Sequence, residues 1–343
     1  MVLTIICAIL IFSIIIFVHE LGHFVAAKLF KVNVIEFAIG MGPAILKKQG
    51  KNTLYSIRAI PMGGFCKMEG EDENTKTEGC FSTKSPLCKI VVLAAGAFMN
   101  VFLGFLIMTI VTYASASQAG FMPTTTVESV MEDSSAASFL RSGDKIVGIN
   151  DTKVNIRQDL SFELSQRGKQ ECSIKYLRDG ETYEGKFTPM EIDVGNGEKA
   201  YAVGFNIKMD EISLKNILHE SFFQTIWTVK LVFVSLGMLF GGKATMNDIS
   251  GPVGVVSAMS TVATEGILSF LSLAGLLTVN IGIMNLLPFP ALDGGRIVFA
   301  LYELIRRKPV PPEKEGVVHF IGFAVLIIFM IVVTGNDIYK LIF

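Results

Sequence analysis

The chain alternates between long apolar stretches and charged ones. Four apolar stretches contain no Asp, Glu, Lys or Arg: residues 1–18, which continue into the sequence HELGH, and residues 90–113, 266–287 and 317–334. A helix needs about 20 predominantly apolar residues to cross the hydrocarbon core of a bilayer. The pattern therefore predicts four membrane-spanning helices.

The polar connections between these stretches predict the orientation. Residues 288–316 form a short connection that carries Arg296, Arg306, Arg307, Lys308 and Lys314. Short loops rich in Arg and Lys face the cytoplasm. With four spans, residues 31–89 lie on the same cytoplasmic side, whereas the N-terminus and the long segment 114–265 face outward.

One further segment bears on the number of spans. Residues 225–243 are apolar, but Lys230 lies inside them, and only twelve uncharged residues separate it from Lys243. Because this length is short for a crossing, we expect an interfacial helix on the outer face. A fifth span is the alternative.

The long outward segment has the pattern of a small β-rich domain. Residues 139–154, FLRSGDKIVGINDTKV, place a Gly-Asp turn before two short alternating runs. Residues 171–187 place Asp179-Gly180 between two longer alternating runs, which predicts a β-hairpin.

Composition and charge narrow the class of protein. Hydrophobic residues make up 51% of the 343 positions, which favours a membrane protein. The net charge of −1 provides no basic field for nucleic acid. The five cysteines show no CxxC spacing, so we expect free thiols. No basic segment precedes residues 1–18 and no small-residue cleavage site follows them, so we expect a retained helix rather than a signal peptide.

The HELGH motif supplies the candidate chemistry. On a helix, His19 and His23 share one face and can direct a ring nitrogen at one zinc ion, while Glu20 lies close enough to act on a water molecule there. Ionisable residues inside a span are costly, which favours a functional role. Two histidines and a glutamate placed at a helix end near the headgroups are the alternative.

A catalytic zinc site needs a third protein ligand. Glu36, His219 and His319 are candidates from the sequence. A better one is Asp293, because the stretch 280–307 contains two prolines that break a helix before Asp293-Gly294-Gly295. A broken helix at membrane depth is tolerated where its backbone lines a wet cavity.

Connectivity links the span count to the metal site. With four spans, the paired histidines and Asp293 emerge at the same cytoplasmic end. If residues 225–243 crossed the membrane, Asp293 would lie on the opposite face, roughly 30 Å away. The four-span arrangement and the shared metal site therefore support each other.

Two separate motifs carry a resemblance to a known family. His19-Glu20-Leu21-Gly22-His23, together with Asn285-x-x-Pro288-x-Pro290-x-Leu292-Asp293-Gly294-Gly295, resembles the site-2 protease family of intramembrane zinc proteases, in its bacterial RseP/RasP-like branch. Residues 59–72, 141–150 and 249–256 resemble stretches of that branch in the same order. The second span begins AAGAFMN (94–100), where members usually have Gly-Pro before the Asn.

The resemblance implies roles for individual residues. His19, His23 and Asp293 are expected to bind Zn²⁺, with Glu20 as general base and Asn285 contacting the unwound substrate. Residues 61–68, PMGGFCKM, are expected to form a membrane-associated β-hairpin that lays a strand against the substrate. Substrate contacts on that hairpin are expected at Gly63, Gly64 and Phe65.

The resemblance also implies the fold: a membrane α-helical protein of about four transmembrane helices, with an inserted small α/β PDZ-like domain and the β-hairpin. That domain could bind the C-terminus of a peptide or exclude substrates whose outer part is intact. The expected order is transmembrane helix 1 with HExxH (1–30), cytoplasmic loop and hairpin (31–89), transmembrane helix 2 (90–113), PDZ-like domain (122–208), interfacial helix and loop (212–263), transmembrane helix 3 with the Asp motif (266–295) and transmembrane helix 4 (317–334).

These expectations lead to a functional hypothesis. We expect an intramembrane zinc metalloprotease of the bacterial inner membrane that cleaves single-span membrane proteins already trimmed outside, such as anti-sigma factors or signal-peptide remnants, in regulated intramembrane proteolysis. The lipid bilayer is an expected partner and nucleic acid is not. The alternatives are a non-proteolytic metal-binding scaffold or chaperone with a PDZ adaptor, and a metal transporter.

Overall fold

The computed structural model describes residues 2–71, 77–195, 198–243 and 245–342. Asp72, the last residue of the stretch 59–72, lies outside the described residues. The chain forms two compact units, one made of residues 1–108 and 228–343 and the other of residues 109–227.

The described residues form helices and strands whose bounds are as follows. The helices are α1 (Val2–Leu29), α2 (Pro86–Ala119), α3 (Arg157–Arg167), α4 (Leu214–Phe240), α5 (Pro252–Glu265), α6 (Ile267–Asn285), α7 (Asp293–Arg306) and α8 (Pro312–Ile342). The strands are β1 (Val34–Gln49), β2 (Leu54–Met68), β3 (Met122–Val130), β4 (Lys145–Ile149), β5 (Thr152–Lys153), β6 (Cys172–Arg178), β7 (Glu181–Phe187), β8 (Met190–Gly195), β9 (Glu198–Ala202) and β10 (Phe205–Asp210).

Within the described chain, five helices are long and apolar enough to cross a membrane: α1, α2, α4, α6 and α8. Helices α1, α2, α6 and α8 correspond to the four predicted spans. Helices α2 and α8 extend beyond the uncharged stretches at both ends, whereas α6 ends at Asn285, before the end of the predicted range. The fifth, α4, contains most of the segment 225–243. It begins eleven residues earlier, at Leu214, because the polar residues before Thr225 continue the same helix.

Contacts between helices give their relative directions. Gly22 of α1 packs against Ala95 of α2, and Nδ1 of His23 lies 2.9 Å from the carbonyl oxygen of Val92, whereas His19 faces Asn100. Later residues of α1 therefore meet earlier residues of α2, which makes the pair antiparallel.

Contacts between α6 and α2 give their relative direction in the same way. Gly282 lies against Ala97, and Gly275, two turns earlier in α6, lies against Ile107. Helices α6 and α2 are thus antiparallel, and α6 runs in the same direction as α1. A set of strictly alternating spans gives this result only if an odd number of crossings lies between α1 and α6.

Helix α8 is held at both of its ends. Near its start, Nδ1 of His319 accepts the backbone N–H of Ala291 at 2.9 Å. Near its C-terminal end, Asp337 accepts the backbone N–H groups of Gly251 and Gly254, at the beginning of α5. Helix α8 therefore starts beside the turn that follows α6 and ends beside α5.

The predicted hairpin is present and larger than its motif. Strands β1 and β2 pair over most of their length, and both bend. Residues 36–39 of β1 are paired with 54–57 and also with 64–67, while 54–57 are paired again with 46–49. Residues 64–67 therefore lie at the edge of this sheet.

The unit of residues 109–227 contains a sheet with the strand order β10-β3-β4-β6-β7, with β5 paired to β4. The predicted hairpin at Asp179-Gly180 joins β6 to β7, and Asp179 has the positive φ of 52° that such a turn requires. Strands β8 and β9 form a separate pair. The core of this unit is apolar and is formed by Val127, Leu140, Ile146, Ile149, Leu160, Leu164, Ile174, Tyr176, Phe187 and others.

Candidate active site

The HELGH motif lies in the last third of α1, on the side of that helix that packs against α2. His19 and His23 are buried, at 8% and 6% exposure, and their rings lie edge to face with centroids 4.8 Å apart. Their Nε2 atoms are 3.2 Å apart. The i, i+4 spacing therefore brings two imidazole nitrogens to one point, as the sequence predicts.

Asp293 reaches the same point from a sharp turn. Helix α6 ends at Asn285, and α7 begins at Asp293 itself, so the predicted third span (266–295) covers α6, the proline-containing segment and the first three residues of α7. Gly294 and Gly295 leave no room for a side chain, because a Cβ atom there would meet the carbonyl oxygens of Leu287 and Phe289. The two glycines thus allow the first turn of α7 to pack directly on the turn before it.

The three side chains form a compact group. Oδ2 of Asp293 lies 3.0 Å from Nε2 of His19 and 3.3 Å from Nε2 of His23. Among the described residues this buried oxygen makes no hydrogen bond of acceptable geometry. Four ligands held tetrahedrally at zinc distances are roughly 3.3 Å apart, so the spacing and the donor types fit a zinc ion with one position left for water or substrate.

Helix α2 contacts both imidazoles through their Nδ1 atoms. Nδ1 of His23 lies 2.9 Å from the carbonyl oxygen of Val92, and Nδ1 of His19 lies 3.4 Å from Nδ2 of Asn100. A Cβ atom at Gly96 would lie 2.5 Å from Nε2 of His23. The absence of a side chain at Gly96 is therefore what lets α2 approach the two rings.

A cavity of about 360 Å³ opens beside the three-residue group. Glu20 lines it, and so do four consecutive residues at the edge of the hairpin sheet, Phe65 to Met68. Gly64 is adjacent, since a Cβ atom there would lie 3.5 Å from Cγ of Glu20. The cavity thus brings together the carboxylate, the metal-ligand candidates and a strand edge.

Arg296 closes one side of this cavity. It lies one turn after Asp293 in α7 and forms an ion pair with Glu71, which follows the hairpin. A second ion pair joins Lys89, at the start of α2, to Glu303 in α7 at 2.7 Å. These pairs connect α7 to the hairpin and to α2, and so hold the helix that carries Asp293.

The other candidate ligands lie elsewhere. Glu36 pairs with Ser56 and Arg58 inside the hairpin, at 2.6 and 2.7 Å. The burial of Glu36 acts to raise its pKa, but these two hydrogen bonds outweigh burial, and its pKa is lowered. His219 packs against the ring of Phe223 in α4, and His319 anchors the turn before Asp293. None of the three lies in the group formed by the paired histidines and Asp293.

The residues predicted to contact substrate fall into two groups. Phe65 lines the cavity and Gly64 is adjacent to it, whereas Gly63 packs against Met41 and has a φ of +87°. Asn285 is the last residue of α6 and is not among the described residues that line the cavity.

Several residues around the site have no recognisable local signal in the sequence. Val92, Gly96 and Arg296 belong to this group, because a backbone carbonyl, a glycine and one arginine among the basic residues of 288–316 look ordinary in sequence. Asn100 carries a weak signal, since a buried amide within an uncharged span is costly and often functional.

Comparisons of the sequence with known proteins show which family the chain belongs to. The sequence profile of peptidase family M50 matches residues 7–329. The chain is 30% identical to the zinc metalloprotease RasP of Shouchella clausii, over 98% of this chain and 99% of that protein. It is 36% identical to a protein of Clostridium acetobutylicum whose name describes it provisionally as a zinc metalloprotease, over 97% of each chain.

A similarity to a solved structure is also found. The PDZ domain of the SdrC-like protein from Listeria monocytogenes is 22% identical, over 28% of this chain and 90% of that domain, with a TM-score of 0.22.

Proposed function

We propose that this chain, which belongs to peptidase family M50 and is a zinc metalloprotease, hydrolyses peptide bonds within the membrane-spanning segments of other proteins. The predicted family is confirmed by the profile match and by relatives that align over nearly the whole chain. The family match therefore favours the protease hypothesis over the scaffold and transporter alternatives. The observation that carries the proposal is the convergence of two imidazoles, a carboxylate and Glu20 on one cavity.

His19, His23 and Asp293 are the proposed zinc ligands. The support is that their donor atoms lie 3.0 to 3.3 Å apart and that Oδ2 of Asp293 is buried without a hydrogen bond among the described residues. When bound, zinc supplies Lewis-acid activation of the scissile carbonyl and of water.

Glu20 is the proposed general base. Its carboxylate accepts a proton from the attacking water as the hydroxyl adds to the carbonyl carbon, and it then donates that proton to the leaving nitrogen as the C–N bond breaks. Its position on the cavity wall, between the histidine pair and the hairpin edge, suits both steps.

The edge of the hairpin sheet is the proposed binding site for the unwound substrate. Peptide groups of a helix within a bilayer are hydrogen-bonded internally, and unwinding exposes them unless new partners are offered. Among the described residues, residues 64–67 are paired on one side only, with residues 36–39. Residues 65–67 line the cavity and Gly64 is adjacent to it. An extended substrate can add there as a further strand, with its scissile bond beside Glu20.

The proposed substrates are single-span membrane proteins already trimmed outside the membrane, such as anti-sigma factors or signal-peptide remnants, and the proposed role is regulated intramembrane proteolysis. A cavity enclosed by helices and a hairpin suits one extended segment. Asn285 is proposed to contact the substrate backbone once it enters.

The replacement Glu20→Gln tests the catalytic proposal. We expect the variant to retain zinc and to lose cleavage of a model membrane-spanning substrate, because an amide cannot accept the proton. Glu128→Gln, at an exposed position of β3, is the matched control and should cleave normally. Normal turnover in Glu20→Gln would remove the proposed base.

We further propose that α4 does not cross the membrane, which leaves four spans in α1, α2, α6 and α8. The support is that α6 runs parallel to α1, which five alternating spans do not allow. The basic connection after α6 then faces the cytoplasm, and the unit of residues 109–227 faces outward. The active site lies toward the cytoplasmic side.

Topology reporters separate four spans from five. A reporter fused after residue 245 should report an outward location, and a second one fused after Lys308 should report a cytoplasmic location. Five alternating spans reverse both results, so a cytoplasmic signal after residue 245 would contradict the proposal.

The outward unit is proposed to be PDZ-like and to bind the C-terminus of a peptide. Strand β10 lies at the edge of its sheet, and a cavity of about 470 Å³ lies between β10 and α3. Apolar side chains line most of it, among them Leu160, Leu164, Phe205 and Ile207. Gly204, with a φ of +84°, forms the turn that leads into β10. An extended peptide can pair with this edge and place apolar side chains in the cavity.

Two forms of one peptide test this proposal against simple exclusion of large substrates. A peptide with an apolar end should bind the full chain with a free carboxylate and fail to bind when amidated. Leu164→Lys should abolish the binding. If neither form binds while bulky outer domains still block cleavage, the domain acts as a size filter.

A further inference from the structure

The two histidines of the candidate active site receive unequal support from α2. The carbonyl oxygen of Val92 can only accept a hydrogen bond, so Nδ1 of His23 carries the hydrogen and Nε2 has its lone pair directed toward Asp293. At His19 the neighbour is the amide of Asn100, whose Nδ2 lies 3.4 Å from Nδ1. An amide nitrogen donates, which would leave the ring hydrogen of neutral His19 on Nε2.

That arrangement at His19 conflicts with the rest of the site. A hydrogen on Nε2 could donate to the Asp293 carboxylate, 3.0 Å away, but Nε2 could then not bind the proposed zinc ion. Asn100 is also completely buried, and its Oδ1 has no hydrogen-bond partner among the described residues. The position of the ring hydrogen of His19 and the unpartnered Oδ1 of Asn100 therefore both depend on how the Asn100 amide is oriented.

A half-turn of the Asn100 amide removes the conflict. The oxygen and nitrogen of an amide have nearly the same shape, and their assignment follows from the hydrogen-bond network. After the turn, Oδ1 faces Nδ1 of His19 and accepts its hydrogen. His19 then has the same form as His23, with the lone pair of Nε2 directed at the proposed metal.

We propose that Asn100 is a positioning residue, whose side-chain carbonyl accepts the Nδ1 hydrogen of His19 and fixes Nε2 for zinc. The proposal rests on the zinc site proposed above. Gly96 makes the contact available, because its Cβ would otherwise lie 2.8 Å from Cε1 of His19 and hold the two helices apart. Gly96 and Asn100 are four residues apart and share one face of α2.

The size of the effect follows from comparable contacts. Loss of a residue that orients a metal-binding imidazole lowers metal affinity by roughly 10- to 100-fold. The contribution of Asn100 should fall in this range, since it contacts one of three proposed ligands.

Zinc affinity of the full chain, measured by competition with a chelator, tests the proposal through three variants. Asn100→Leu keeps the volume and removes the hydrogen bond, so affinity should fall roughly 10- to 100-fold. Asn100→Asp accepts but cannot donate from its carboxylate, so affinity should equal or exceed that of the parent chain. Thr112→Val, which removes a buried polar group elsewhere on α2, should leave it unchanged.

Each outcome decides the proposal. Normal affinity in Asn100→Leu would mean that Asn100 only fills space, and loss of affinity in Asn100→Asp would mean that its amide donates; either result overturns the proposal. If Asn100→Leu fails to fold, Asn100→Ala takes its place with the same expectation. His19→Ala is the reference: zinc retained there would refute the ligand set itself rather than the role of Asn100.

Discussion

Asp293 and Asp337 are both found where helices meet, and their surroundings differ. The two oxygens of Asp337 accept the backbone N–H groups of Gly251 and Gly254, at 3.2 and 2.8 Å, and so complete the first turn of α5. Asp293 opens α7, yet its Oδ2 faces two imidazole nitrogens and makes no hydrogen bond among the described residues. The backbone satisfies the structural carboxylate of Asp337, whereas Oδ2 of Asp293, the proposed zinc ligand, has no such partner among the described residues.

Both regions depend on glycines for close approach. Side chains at Gly251 and Gly254 would collide with Asp337, and side chains at Gly294 and Gly295 would collide with the preceding turn. Glycine next to a buried acid therefore does not distinguish a ligand site from a helix cap. The hydrogen-bond partners of the acid make that distinction.

The largest expected effect is at Asp293. Asp293→Ala removes a proposed zinc ligand, and the loss of several kcal/mol of transition-state stabilisation corresponds to a decrease in cleavage of roughly a thousandfold or more. Cleavage of a membrane-spanning model substrate is the measurement, and Asp337→Ala is the comparison. Equal losses in the two variants would show that the two aspartates do not differ in the way proposed.

Gly96→Ala comes next. The added methyl group would lie 2.5 Å from Nε2 of His23, so one imidazole must move and zinc affinity should fall roughly 10- to 100-fold. Competition with a chelator on the full chain measures the zinc affinity. Gly316→Ala, where no atom lies within 4 Å of the new Cβ, is the control, and an unchanged affinity in Gly96→Ala would argue against the close packing of α2 on the histidines.

Asp337→Ala should reduce stability and leave the metal site intact. It leaves two backbone N–H groups at the start of α5 without an acceptor, which costs about 1–3 kcal/mol for each group. Thermal unfolding in detergent and zinc per chain are measured together. Asp337→Asn keeps one acceptor, so its stability should lie between that of the parent chain and that of Asp337→Ala. Loss of zinc in Asp337→Ala, with folding preserved, would contradict the division of roles.

The smallest effect is expected at Glu36, the rejected ligand. Because its folded pKa is lowered below the unfolded value, its carboxylate stabilises the hairpin above that value and loses the contribution as the pH falls through the folded pKa. Glu36→Ala should therefore lower the free energy of unfolding by less than about 1 kcal/mol near neutral pH and have no effect in acid. The variant should bind zinc normally. Reduced zinc in this variant would reopen Glu36 as a ligand.

Local patterns in the sequence predict the parts of the site that depend on near neighbours. The i, i+4 spacing of His19 and His23 requires only a helix, and the break before Asp293 follows from two prolines. The hairpin at Asp179-Gly180 is equally local. Each of these features depends on the covalent geometry of a few residues.

Contacts between distant segments could not be predicted in this way. Val92 and Asn100 are 69 and 81 residues from the histidines they face, and a single sequence carries no signal for such pairs. Helix α4 presents a different difficulty, since its length and composition suit a span or an interfacial helix equally well. Only the parallel packing of α6 and α1 favours one of them.

The proposed zinc site consists of two imidazoles and the Asp293 carboxylate. Zinc K-edge X-ray absorption on the full chain, compared between the parent and Asp293→Ala, reports these ligands. We expect two imidazoles with only oxygen donors besides them in the parent, and loss of tightly bound zinc in the variant. A sulfur ligand in the parent, or an unchanged spectrum with full zinc occupancy in Asp293→Ala, would contradict this ligand set.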